Sequence, residues 1–454
     1  MNNFQFIVNT TSGRLAMNNF LDVMLKNSKL NRDLKIEMLQ LGEEHIWLVC
    51  YDSVVNVQET ITFIWNSGIS PTVSYEDICR HLVGKAWKPE EMNALQQGQV
   101  ILINANGEQA FSFQGKPTSL ARAIERPENE SMPFAPAIAF MEPLTTNIGL
   151  IRKGMNSQSL VAEGFTFTGA ATKEASLIYH SELVDTDLLR QVKTLLQNAS
   201  NRDLQSGQDL MEILDCSRYD LLSPFYKTEI PMQAISSIMK GRVVMLIEGE
   251  PVAYVLPLLF GDFISIEWDR QLPFLIMLGL RCLRLMSIVI ALLTPGLYVA
   301  LVSVNPEALR IELALSVASS RIGVPLPTFL EMAFLLIISE ISIESTQRLP
   351  KNIAGSITVI GGIVLGTAIV DAKLVSSLVI IVLSVSVTAT FAFPNYLNTL
   401  NIRIMRTAIV VLSGIFGVFG LFAGFIAICF YVCKIEHFGI PFMKFLDFKK
   451  IRQT

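Results

Sequence analysis

Apolar positions along this chain change rhythm near residue 283. Upstream they alternate, or recur at helical spacing, between polar stretches; downstream they run almost without a break. From Leu34 the order reads strand, strand, helix: LKIEMLQL, HIWLVCYDSVV, then Val57–Trp65 with Asn56 at the N-cap position. Leu15–Leu25 and SYEDICRHLV (Ser74–Val83) are further helix candidates, the second capped by Ser74. Val100–Asn104 and Gln109–Phe113 flank Ala105-Asn106-Gly107-Glu108. Asn-Gly between apolar runs predicts a hairpin, because both residues accept positive φ.

The same order recurs after residue 158. LVAEGFTFTG and KEASLIYHSELV read as strands, and Asp185 or Thr186 caps a helix Asp187–Leu196. SGQDLMEILD (Ser206–Asp215) parallels SYEDICRHLV in place and in its capping serine. MKGRVVMLIEGEPVAYVLP (Met239–Pro257) echoes QQGQVILINANGEQAFSF (Gln97–Phe113), aligning Gly98 with Gly241 and Gly107 with Gly249. Two α+β units can share such an order by chance. The matched order and glycines predict an internal duplication, joined by the Pro-rich RPENESMPFAPAIAF (Arg126–Phe140).

Leu283–Val304 carries no charge after Arg284. About twenty such residues, at 1.5 Å rise each, cover ~30 Å of hydrocarbon. Pro295 lies within it as a bend. Asn305–Pro327 is amphipathic, and Thr328–Thr346 is apolar but carries Glu331, Glu340 and Glu344. Ile353–Val370, Leu374–Phe393 and Thr407–Val432 are further apolar runs. Arg281 and Arg284 before the first span place the N-terminal region in the cytoplasm by the positive-inside bias. If Thr328–Thr346 spans, there are five crossings, and the tail bearing Lys444, Lys449, Lys450 and Arg452 lies outside. If that segment is interfacial there are four, and Arg403 and Arg406 fall outside instead.

The expected fold is therefore an α+β cytoplasmic region of two related subdomains followed by an α-helical transmembrane bundle of four to five spans. The expected divisions are 1–130, 131–275, a membrane region 276–433, and a short basic tail 434–454. Gly362 with Gly366 and Gly420 with Gly424 each put two glycines on one helix face, a pattern that lets helices pack closely. Glu331, Glu340 and Glu344 are candidates for an ion path or for coupling, because carboxylates in hydrocarbon are costly. Arg281, Arg284 and Pro295 are candidates for coupling at the membrane edge.

Chemistry beyond this is sparse. A net charge of −4 argues against nucleic acid as a partner. Six cysteines form neither a disulfide framework nor a CxxC pair, and the four histidines are scattered. Nucleotide-binding, nucleophile-elbow and HExxH motifs are all missing. No catalytic residue, cofactor or metal is expected, and the protein is not read as an enzyme. The N-terminus lacks the basic and apolar regions of a cleavable signal peptide.

A set of short motifs does carry a resemblance. Glu142-Pro-Leu-Thr-Thr-Asn147-Ile-Gly-Leu-Ile-Arg152 is the first, and Thr228-Glu229-Ile230-Pro231 the second. Gly241-Arg242-Val243 through Gly249-Glu-Pro251 to Pro257 follows, then Leu280-Arg281-Cys-Leu-Arg284, Glu344 through Arg348-Leu349-Pro350, and Gly362 with Gly366. In this order the chain resembles the A subunits of the GerA-type spore germinant receptors, from about Leu34 to Val432. It departs from that pattern at Ile230 and Ile343, where arginines are expected, at Lys153-Gly154, and at Thr367.

The resemblance implies a non-enzymatic, multi-pass protein of the spore inner membrane that triggers germination. It also implies a transporter-like B subunit and a lipoprotein C subunit as partners, and a homo-oligomer that forms or gates a cation-release channel. Spore-specific paralogues share the fold without a dedicated nutrient. The alternative is a non-conducting scaffold that assembles the germination complex.

Overall fold

The computed structural model describes residues 28, 30–41, 44–66, 82, 85–87, 93–104, 109–117, 138–205, 207–216, 220–348, 362, 364, 366–393 and 396–444. The helix candidate Leu15–Leu25, the Asn-Gly turn, Cys79, most of Ser74–Val83 and of Arg126–Phe140, and most of Ile353–Val370 lie outside these residues. The chain divides into two compact units, residues 1–258 with 437–440, and residues 259–436 with 441–454.

The first unit holds two five-stranded antiparallel sheets. Strands β1 (Leu34–Leu41), β2 (Glu44–Tyr51), β3 (Lys85–Ala86), β4 (Gln99–Asn104) and β5 (Ala110–Gln114) pair in the order β1-β2-β4-β5-β3. Strands β6 (Leu160–Thr168), β7 (Thr172–His180), β8 (Tyr226–Thr228), β9 (Val243–Ile247) and β10 (Ala253–Leu256) pair as β6-β7-β9-β10-β8. These are one connectivity written twice, so the recurrence in the sequence reappears as topology. The aligned glycines share a conformation as well: Gly98 (φ 86°) and Gly241 (φ 80°) both sit in the left-handed region just before β4 and β9. A Cβ at Gly241 would crowd the Leu183 carbonyl, which makes glycine the residue that fits there.

Helix α1 (Val57–Asn66) covers the first sheet, with Val57 and Ile64 buried against Leu48, Val100 and Phe113. In the second sheet, Ala175, Leu177 and Tyr179 of β7 point to a core closed by α3 (Thr186–Asn198) and α4 (Gly207–Ile213). Asp185 is the α3 cap, its carboxylate accepting from the Asp187 and Leu188 amides. α2 (Leu144–Met155) and α5 (Pro231–Met239) complete this subdomain. All five residues of β9 are buried, which explains its unbroken apolar run VVMLI.

One ion pair ties the two subdomains together. Arg152 of α2 is 1% exposed and grips Asp33, just ahead of β1, through Nε and through Nη2 at 2.6 Å. Its Nη2 also donates to Asn31 at 3.3 Å, and its guanidinium lies 4.1 Å from the Tyr51 ring centroid. Burial opposes the guanidinium charge, but Asp33 outweighs it and raises the pKa. Ser53 donates to Asp33 at 2.7 Å, and Gly149 of α2 abuts the Ser53 backbone so closely that a Cβ would clash.

The second unit is helical: α6 (Phe274–Val299) continued by a π-turn Ala300–Val304, α7 (Ile311–Ser320), α8 (Thr328–Gln347), α9 (Ser377–Thr390) and α10 (Tyr396–Lys434). Among the described residues two helices qualify as membrane spans by length and composition, Phe274–Val304 and Thr399–Lys434. Four to five spans are not established by this criterion. The second qualifying helix also differs from the single run expected at Thr407–Val432. At Gly417 (φ 62°, ψ −140°) the backbone leaves helical geometry. Beyond it Gly424 packs back on Ile409 and Leu412. α10 is thus a hairpin of two arms, arm a up to Phe416 and arm b from Val418, and only glycine enters that turn without strain.

Because a partner removed from a buried ion pair leaves an uncompensated charge, Arg152→Ala should cost about 3–5 kcal/mol. Chemical denaturation followed through the tryptophans checks it, with Arg190→Ala, on an exposed α3 pair with Asp187, near neutral as the control.

Candidate functional site

Charged side chains in the helical unit gather at three levels, with a neutral polar contact at a fourth. Just ahead of α6, Asp269 in the short 3₁₀ turn Glu267–Gln271 is fully buried. Arg284 of α6 donates to both its oxygens, at 2.5 and 2.9 Å, and to the Ile264 carbonyl at 2.8 Å. Arg281 lies further off, at 3.8 Å. Of the two arginines, Arg284 is locked to a carboxylate in a bidentate fork.

Deeper along α6, Ser386 of α9 donates to the Ala291 carbonyl at 2.8 Å. Arg406 of arm a, fully buried, reaches that serine at 3.4 Å and donates to Glu340 of α8 at 2.9 Å. Arg403, one turn earlier, binds the other Glu340 oxygen. One carboxylate is therefore held by two guanidiniums from another helix. Nearer the far end, Glu331 is fully buried, faced by Arg321 at 3.0 Å and accepting from the Ser376 amide at 2.9 Å. At the hairpin tip, Asn305 accepts from the Val418 amide at 3.0 Å.

These contacts fix the helix directions. Phe329 of α8 meets Gly414 while Glu340 meets Arg403 and Arg406, so α8 runs antiparallel to arm a. Ser376 at Glu331 and Ser386 at Ala291 make α9 run the same way as α8. Gly296 sits on Ile409, Ser413 and Leu421, and Gly417 sits on Asn305, so arm a follows α6 and arm b returns. Phe442, after α10, accepts from the Phe260 amide at 3.0 Å, on the chain just ahead of α6.

The remaining predicted residues fall in several environments. Glu344 is exposed and pairs with Arg348 at i, i+4, 2.9 Å. Pro295 is buried inside α6 next to Gly296. Gly420 and Gly424 face arm a, whereas a Cβ at Gly362 or Gly366 would meet nothing within 4 Å among the described residues. In the first unit, Asn147 is buried and bridges the Met141 amide and carbonyl at 2.8 and 2.5 Å. The Glu142 carbonyl accepts from the Gly249 amide, and the Glu229 carbonyl from the Phe140 amide, both at 2.9 Å. Pro231 opens α5, and Gly249 (φ 80°) with Pro251 shapes the β9–β10 turn. Sequence reasoning did not single out Asp33, Asp269, Ser386, Arg403 or Arg406 as partners, because pairs 15 to 119 residues apart leave no local spacing. Among the described residues no group of three or more His, Cys, Asp or Glu is placed to hold a metal.

This combination is a mixed α/β region followed by apolar helices cross-braced by arginine–glutamate pairs, two of the helices long and apolar enough to cross a membrane. Residues 21–453 match the family described as Bacillus/Clostridium GerA spore germination protein, and the chain belongs to that family. It is 30% identical to spore germination protein B1 of Bacillus subtilis over 76% of this chain and 72% of that one. It is 28% identical to spore germination protein GerLA of Bacillus cereus over 78% of this chain and 72% of that one. The crystallised N-terminal domain of the A subunit of the Bacillus megaterium spore germinant receptor GerK3 aligns at TM-score 0.39 and 17% identity. That alignment covers 53% of this chain and 94% of the domain.

Glu340→Gln should leave two guanidiniums in hydrocarbon with no counter-charge, at a cost of several kcal/mol. The expected outcome is a sharp fall in membrane-inserted protein, read by quantitative blotting of membrane fractions. Glu344→Gln, which breaks only an exposed pair, should leave that amount unchanged.

Proposed function

We propose that the chain is the membrane subunit of a nutrient germinant receptor in the spore inner membrane. It triggers germination by oligomerising to form or gate a cation-release channel, and works with a transporter-like B subunit and a lipoprotein C subunit. The α+β region lies in the spore core. One observation carries the reading: in an apolar helical unit Glu331 is buried and Glu340 half-buried, and each is answered by arginine. Intramembrane charges of that kind are costly and mark functional elements. In this reading they are joints between helices, which a gating motion must break or exchange, and not open cation ligands.

The alternative, a non-conducting scaffold, draws on the same pairs, since a carboxylate held by two arginines offers a cation little. Reconstituted with its partners and a germinant, the protein should pass monovalent cations. A monomer in native membranes, or no flux from an intact complex, would sink the channel reading and leave the scaffold.

The helix directions support a topology in which both chain ends share the core side. Arg281, Arg284, Arg348, Arg403, Arg406 and Lys434 then cluster at that face, while Arg310, Arg321 and Lys373 fall at the other. Folding α10 into two arms satisfies the positive-inside bias that one crossing there would violate. In right-side-out vesicles of a cysteine-free background, Glu307→Cys should react with an impermeant maleimide and Lys444→Cys should not. Labelling of Lys444→Cys would reverse the assignment.

A further inference from the structure

The Glu340 joint is not electrically balanced. Two guanidiniums face one carboxylate, a local charge of +1 in the apolar half. Glu344 and Arg348, toward the near end of α8, neutralise each other and supply no counter-charge. Nε and Nη1 of Arg403 and Nε of Arg406 donate to no acceptor among the described residues. Arg403 is 6% exposed, so these donors are shut away from bulk water. Orphan guanidinium donors in such a place call for an anion.

Beside them lies a groove of about 430 Å³, with Glu340 and Arg403 at its polar part. Ile404, Thr407, Ala408 and Val411 continue it along arm a, away from the near face. Its depth follows from the contacts of Ser386 with α6 and with Arg406. Arg406 is level with Ala291 through Ser386, and Ala291 is seven residues past Arg284. At 1.5 Å rise per residue, Arg403 is about 6 Å deeper than Arg284. An arginine side chain spans that distance toward the headgroup level.

We infer that this groove binds an acidic phospholipid of the near leaflet, its phosphate on the Arg403 guanidinium and an acyl chain along Ile404–Val411. A soluble anion would leave the apolar stretch unused, and a neutral lipid would leave the excess charge unanswered. An acidic headgroup on an acyl chain matches both parts.

The test uses the full-length chain in an uncharged detergent, with thermal unfolding as the readout. Phosphatidylglycerol should raise the Tm, at a half-maximal concentration at least tenfold below that of phosphatidylcholine, and inorganic phosphate should leave it unmoved. Ala408→Phe fills the groove without touching the ion pair, and should lose the phosphatidylglycerol response by at least tenfold. An equal response to phosphatidylcholine, or an undiminished response in Ala408→Phe, would overturn the assignment. So would a shift reproduced by inorganic phosphate alone. Stability that rises with protein concentration and ignores phosphatidylglycerol would also overturn it, pointing instead to a carboxylate of a second copy. Should Ala408→Phe not fold, native mass spectrometry of the unaltered chain decides: the phosphatidylglycerol adduct must outlast the phosphatidylcholine adduct.

Discussion

A charge taken out of water has to meet an opposite charge, and among its described residues this chain meets that demand four times. Asp33 meets Arg152, Asp269 meets Arg284, Glu331 meets Arg321, and Glu340 meets Arg403 and Arg406. In each case the partners come from different elements, so the pair sets which elements lie together as well as neutralising charge. Replacing such pairs with apolar side chains often costs nothing in stability. What a buried pair supplies is exclusiveness: a helix shifted by one residue strands both charges.

The hairpin in α10 follows the same economy of polar groups at its tip. Reversing a helix frees backbone amides at the turn that need an acceptor. Gly417 supplies the conformation, and Asn305, at the end of the π-turn that finishes α6, takes the Val418 amide. Asn305 itself is held by Glu307, to which its amide donates at 3.1 Å. The exit of α6 and the reversal of α10 are thus one structure.

How much of this was legible in the sequence depends on range. β1 coincides with LKIEMLQL, and α1 differs from Val57–Trp65 by one residue, because local alternation and 3.6-periodicity fix such elements. Asp185 as cap and the equivalence of Gly98 with Gly241 were readable for the same reason. β3 and β8, two and three residues long, carry too little pattern to be seen, and α2 hides its helix in TTNIGLIRKG. The reversal was hidden by composition. Gly414, Gly417, Gly420 and Gly424 stand in one apolar run, and only tertiary contact shows which of them turns the chain. The carboxylates were visible as costly; that Arg403 and Arg406, 63 and 66 residues on, neutralise Glu340 was not.

α8 brings these threads together. Glu331 pins it near one end to Arg321 and the start of α9, and Glu340 pins it nine residues on to arm a. Nine residues of helix are about 13 Å, so the two joints lie at different depths. A gradual slide of α8 would uncover both carboxylates before either found a new partner, which makes intermediate positions expensive. Packed elements held in this way have discrete arrangements rather than a continuum. Ser386 extends the constraint, touching Arg406 on one side and the α6 backbone on the other. Any change of partner at Glu340 is therefore felt by α6, whose other end is fastened through Arg284 to the turn that precedes it.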